Sequence, residues 1–130
     1  VWGPEITAVG GIQSGPSGVP SDPAFAQGPN IAIVSGLYEL FGDNKLVRTS
    51  LAGLARALPP GGLLIYTNQP WHPQIEMIAR VLTNRDGKPW IMRRRTQEEM
   101  DQLVTAAGFA KQEMCIDKFG IFTVSLARRV

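Results

Sequence analysis

Two short apolar runs set the frame for this chain. "IAIVS" (residues 31–35) and "LLIYT" (63–67) have the unbroken apolar character of strands covered on both faces. Between them Leu46, Val47, Leu51, Leu54, Ala55 and Leu58 fall on one face of a helix over residues 44–58, with Asp43 or Asn44 as its cap. "PPGG" then ends that helix, because proline cannot continue it and glycine releases the chain from it. Strand, helix, strand over this length is a βαβ unit with parallel strands and a right-handed crossover.

The same periodicity continues downstream. Ile75, Ile78, Ala79 and Leu82 keep helical spacing behind Pro73, a favourable first-turn residue. Met100, Leu103, Val104 and Ala107 keep it again, opened by a capping box of Thr96 with Glu99 and stopped by Gly108. "NRDGKPW" between these helices is a turn by composition. "KQEMCID" (111–117) and "IFTVSLA" (121–127) flank "KFG" as an antiparallel hairpin. The expected sheet places the last strand between the second and the third.

Residues 1–29 are of another kind. They hold 6 of the 14 glycines and 5 of the 10 prolines, with Glu5 and Asp22 as their only charges. Such a segment buries too little surface to offset its backbone entropy, so residues 10–29 are expected to lack regular structure. Only "EITAV" (5–9) has the makings of a short strand. This gives an irregular segment over 1–29 and one α/β domain over 30–130. A first residue of Val rather than Met raises the expectation of a piece of a longer chain.

Composition narrows the function classes. A net charge of +2, from 13 basic against 11 acidic residues, is too small to argue for a nucleic-acid partner. No apolar run reaches the roughly 18 residues of a membrane span. A lone cysteine, Cys115, rules out an internal disulfide and suits the cytoplasm. With His72 the single histidine, no histidine-based metal cluster or dyad can be built within one chain.

The segments "PNIAIVSGLYELF", "LPPGGLLIYTNQPWHPQ", "RRRTQEEMDQLVTAAGF" and "DKFGIFTVSLARR" together resemble the C-terminal half of class I S-adenosylmethionine-dependent methyltransferases. More narrowly they are similar to the methyltransferase domain found joined to an α/β-hydrolase in some bacterial proteins. The resemblance covers residues 30–130 and implies a partial Rossmann-like sheet, its strands matching the fourth to seventh, with helices on both faces and a closing antiparallel hairpin. It implies S-adenosylmethionine as cofactor and a small-molecule methyl acceptor. In the family three earlier strands and a glycine-rich loop grip the cofactor. The glycines of "AVGGIQSGPSG" do not reproduce that loop, since Pro16 and Pro20 interrupt any helix after it. The chain alone is therefore expected to be incomplete for catalysis.

Ligands of open α/β sheets sit beyond the carboxyl ends of the strands. Two such ends are visible, "SGLYE" and "TNQPWH". By the resemblance Ser35, Gly36 and Leu37 line the cofactor, while Tyr38 and Glu39 face substrate. Glu39 is either a base for the accepting heteroatom or a cap for the next helix. Tyr38 and Phe41 also suit the anchoring of the turn onto the core. Asn68, Gln69, Trp71 and His72 place amide, indole and imidazole groups at the second strand end as substrate-binding candidates. The run "RRR" (93–95) reads as a solvated stretch ahead of a helix. The alternative to an enzyme is a non-catalytic module derived from a methyltransferase. In either case "IAIVS" lacks one of the neighbours it has in the family, leaving an apolar edge that proteins normally cover. "EITAV" folding back or a second copy of the chain would cover it, and the expectation here is a homodimer through that edge.

Overall fold

The computed structural model describes residues 28–130. Strand β1 (Ile31–Val34) leads through a 3-10 turn (Tyr38–Leu40) into helix α1 (Asn44–Ala57) and strand β2 (Leu63–Asn68). Helices α2 (Ile75–Val81) and α3 (Gln97–Ala106) follow, then strands β3 (Phe109–Ile116) and β4 (Thr123–Arg129). The four strands form one sheet in the order β1-β2-β4-β3. β1 and β2 are parallel, with Ile33 opposite Ile65. β4 runs antiparallel to both of its neighbours, with Ser125 opposite Tyr66. The last strand thus lies between the second and the third, as the pattern of runs predicts.

Local chemistry accounts for the boundaries. Asp43 caps α1 by accepting the Lys45 N–H at 2.7 Å. The helix ends where Leu58, ahead of Pro59, turns extended. Gly62 opens β2 in a tight corner, since a Cβ there would lie 2.9 Å from the Pro59 carbonyl oxygen and 3.3 Å from that of Asn30. Gly108, at φ +96°, stops α3. The capping box of α3 forms by half. Thr96 Oγ1 accepts the Glu99 N–H at 3.1 Å, but the Glu99 carboxylate turns to Asn44 and Arg93 because both offer it donors. The hairpin starts earlier and ends later than its apolar runs suggest. Phe109 joins β3 because its ring fills the core, while Ile121 and Phe122 belong to a turn tied by their N–H groups to Asp117 Oδ1.

Only one face of the sheet is covered among the described residues. Ala32, Val34, Leu64, Tyr66, Phe109 and Ala127 point to that face and pack with Val47, Leu51 and Leu54 of α1 and Met100, Leu103 and Val104 of α3. Fully burying a side chain such as Leu51 contributes about 1.5–3 kcal/mol. α1 and α3 touch one another, so they share this face. Helices on both faces, expected from the unbroken apolar strands, are not what these residues form. Burial along β2 alternates instead, with Leu63, Ile65 and Thr67 half-buried. Ile33 and Leu126 share their open face, and Ile31 is 39% exposed beside them. The covered face is partly polar near β4, where Asp101 gathers the Tyr66 hydroxyl at 2.9 Å, Gln97 Nε2 at 2.7 Å and Lys111 Nζ at 2.5 Å. Burial first, then the bond and charge of Asp101, push the Tyr66 phenol pKa well above its ordinary value.

The segment 10–29 falls almost wholly outside the described residues, as does "EITAV"; Gly28 and Pro29, which are described, carry no regular structure. No described helix is long and apolar enough to cross a membrane.

Candidate active site

The carboxyl ends of β1 and β2 lie side by side and are joined by one bond, from the Gly36 N–H to Thr67 Oγ1 at 2.9 Å. Ser35 and Gly36 are exposed there. Gly36 has φ +63°, a left-handed conformation that a residue with a Cβ adopts only under strain. This turn drops the next three residues inward. Leu37 and Tyr38 enter the core, and the Tyr38 hydroxyl meets Ser50 Oγ at 3.1 Å. Glu39 is only 9% exposed, and its carboxylate returns toward the glycine, where a Cβ on Gly36 would lie 3.8 Å from Oε1.

Burial raises the Glu39 carboxyl above the ordinary carboxylate value; a backbone hydrogen bond at Glu39 and the positive charge of Arg95 oppose that rise without cancelling it. The result is a carboxylate more basic than one in water, held next to an exposed backbone turn. It can accept a proton from a group brought to that turn.

Arg95 is what holds the turn. It is 1% exposed, and its fork donates to the Tyr38 carbonyl, the Phe41 carbonyl and Asn44 Oδ1, each at 2.7 Å. Burial pulls its pKa down, with help from neighbouring Arg93, while Glu99, Glu39 and Asp43 act against that. Arg93 adds a second tie, its N–H donating to the Glu39 carbonyl and its Nη1 to the Gly42 carbonyl, both at 2.8 Å. Of the "RRR" run, then, only Arg94 is the solvated residue that the sequence suggests. Arg95 is buried because three acceptors of the 38–44 turn face inward and need a donor. The sequence offers one hint, that the run directly precedes the cap Thr96, and nothing that singles out Arg95 within it.

The second strand end is divided. Asn68 is buried and donates to the Arg95 carbonyl at 3.1 Å, which fixes the clamp segment. Gln69 is 4% exposed, and its Oε1 has no partner among the described residues. Trp71 is 51% exposed, while His72 is half-buried, its Nδ1 accepting the Gln74 N–H at 3.1 Å ahead of α2. The structure therefore brings Ser35, Gly36 and Glu39 together, puts Leu37 and Tyr38 beneath them, and leaves Trp71 at the surface. Among the described residues no three or more His, Cys, Asp and Glu side chains gather as a metal site.

Residues 21–129 match the model of a family described as "Putative methyltransferase". The chain belongs to this family. The methyltransferase-family chain is 64% identical over 107 residues to the uncharacterized protein YnbC of Escherichia coli strain K12, a match that spans 82% of this chain and 18% of YnbC. Its fold is shared with a SAM-dependent methyltransferase from Methanosarcina mazei, at TM-score 0.61 and 16% identity over 80% of this chain and 60% of that one. It is shared too with an O-methyltransferase family 2 protein from Planctomyces limnophilus in complex with apigenin, at TM-score 0.61 and 15% identity over 79% of this chain and 31% of that one. The α/β architecture with a mixed four-stranded sheet is thus a partial Rossmann-like methyltransferase fold.

Proposed function

We propose that this chain forms the acceptor-facing, C-terminal half of an S-adenosylmethionine-dependent methyltransferase site. The observation that carries the reading is the Glu39 carboxylate, buried beside the exposed Gly36 turn where two parallel strand ends meet. The cofactor presents a sulfonium, an ammonium and an amino group, all positive or hydrogen-bond donating. The described residues at the strand ends offer the complement, a carboxylate at Glu39 and the unpartnered acceptor Gln69 Oε1.

When bound, the cofactor supplies an electrophilic methyl group. The chain's own residues have the remaining tasks. Ser35 and Gly36 give close backbone approach, and Leu37 and Tyr38 hold the turn from below. Glu39 takes the proton of the accepting heteroatom as that atom becomes nucleophilic. Trp71 and His72 border the strand end at which the accepting atom is methylated, with Asn68 fixing the segment behind them. The methyl acceptor is a small molecule, and the reaction is placed in the cytoplasm, in keeping with the free Cys115 thiol. The rest of the sheet, with the glycine-rich cofactor grip, comes from outside the described residues. An adjoining α/β-hydrolase fits a relative of which the match spans 18%.

Calorimetric titration of S-adenosylmethionine into the chain tests this reading. Saturable heat that Glu39→Gln or Gln69→Leu diminishes is expected. A flat trace would favour the second reading, a non-catalytic module that associates with itself or a partner. That reading has one observation of its own, the free edge of β1 in the described sheet. On that second reading, in place of the first, we propose that this edge pairs with the same edge of a second copy about a two-fold axis.

A further inference from the structure

A cleft of about 710 Å³ lies beside the candidate site, between Leu40 and Phe41 on one wall and the segment 83–91 on the other. That is the size of a small-molecule pocket. Its far wall is a self-contained hairpin. The Asn84 N–H donates to the Lys88 carbonyl at 2.7 Å, and the Trp90 N–H to the Leu82 carbonyl at 3.0 Å. Asn84 Oδ1 accepts the Asp86 and Lys88 N–H groups, and Gly87 takes φ +73° to close the turn. The two walls are held together by Arg93, whose N–H reaches the carbonyl of Glu39, the residue next to Leu40.

The lining is chemically two-sided. Leu40, Phe41, Trp90 and Ile91 supply the apolar part, and Ile91 stands 73% exposed. Arg85 and Lys88 supply two cations that make no ion pair among the described residues, against one carboxylate, Asp86. A solvated hairpin needs neither an exposed isoleucine and a half-buried tryptophan lining one cleft with Phe41 nor two unpaired cations on the same lining.

We propose that this cleft binds an aromatic anion, its ring between Phe41 and Ile91 and its anionic group at Arg85 and Lys88, and that this ligand is the methyl acceptor. The last clause rests on the methyltransferase reading, whereas the binding does not. The position suits it, because the cleft begins at the residue after Glu39.

The test uses the full chain without S-adenosylmethionine and two fluorescent probes, the anionic 8-anilinonaphthalene-1-sulfonate and the neutral N-phenyl-1-naphthylamine. Arg85→Ala/Lys88→Ala should weaken the anionic probe about tenfold at low salt and leave the neutral one unchanged. Ile91→Asp, at an exposed position, should abolish the binding of both while the melting temperature holds. Anionic-probe affinity that survives all three substitutions would place the probe elsewhere and overturn the proposal. Equal loss of both probes in the double variant would overturn its anionic part. If the probes behave as expected and calorimetry with S-adenosylmethionine stays flat, the cleft stands and the methyltransferase reading alone falls.

Discussion

Replacing Arg95 with methionine removes the clamp on the site turn while keeping a long apolar stem. Three bonds at 2.7 Å are lost, each from a charged donor and contributing about 1.5–3 kcal/mol net. The Tyr38 carbonyl, on the buried side of the clamp, stays dry without a donor and adds about 1–2 kcal/mol. The Phe41 and Asn44 acceptors are part-buried and regain water. Against these terms stands the removal of a buried cation, which returns about 3–5 kcal/mol of desolvation. The net is a loss of about 2–6 kcal/mol, a large share of the roughly 5–15 kcal/mol that holds a domain. Urea unfolding followed by circular dichroism measures it. Arg95→Lys should fall between the two, because an ammonium lacks the planar fork that reaches three acceptors. Hydrogen exchange at the Arg93 amide, which bonds the Glu39 carbonyl, should accelerate in both variants. A methionine variant within about 0.5 kcal/mol of the parent would refute the reasoning, since burial at this level cannot leave three charge-assisted bonds worthless.

Three further outcomes are expected. Burial raises the folded-state pKa of Glu39 above 4.5, so the folded chain holds that proton more tightly than the unfolded one; stability is therefore lost as pH rises through the window between the two values. Glu39→Gln should be insensitive there and more stable than the parent at neutral pH, and a gap between them that stays constant from about pH 4 to pH 7 would contradict this. Gly62→Ala should destabilise by about 1–3 kcal/mol in the same urea assay, because its Cβ meets the rigid Pro59 carbonyl at 2.9 Å. Ile31→Lys, on the open face at the edge strand, should shift the proposed dimer to monomer in light scattering across a dilution series; a parent chain that is monomeric at every concentration would rule the dimer out. Lysine at Ala32 or Val34 would not serve, because both point into the core.

The order of elements was legible because each rests on local chemistry: proline after Leu58, the Thr96 cap, glycine at 108. Strand order followed from the βαβ unit and the hairpin. The faces were not legible. Ile33, Ile65 and Leu126 are as apolar as Ala32, Leu64 and Ala127, so the runs read as covered on both sides, yet α1 and α3 share one side, joined by the Asn44–Glu99 bond. Apolar character records what a face can bury, and not which described element buries it. At the site, the two strand ends were legible from the rule that ligands sit at carboxyl ends. The roles within them were less so. The burial of Arg95 depends on carbonyls more than fifty residues away, a relation that no local pattern carries. Tyr38 and Asn68 had the right chemistry for ligand contact, but their polar atoms face Ser50 and the Arg95 carbonyl instead.

Titrating S-adenosylmethionine into the isotopically labelled chain and following its amide resonances shows whether the joined ends of β1 and β2 receive the cofactor. Saturable shifts of the Ser35 and Gly36 backbone amides and of the Gln69 side-chain amide are expected, with Glu39→Gln weakening the titration. Resonances that stay fixed at these three residues, or that move only elsewhere on the chain, would contradict binding there.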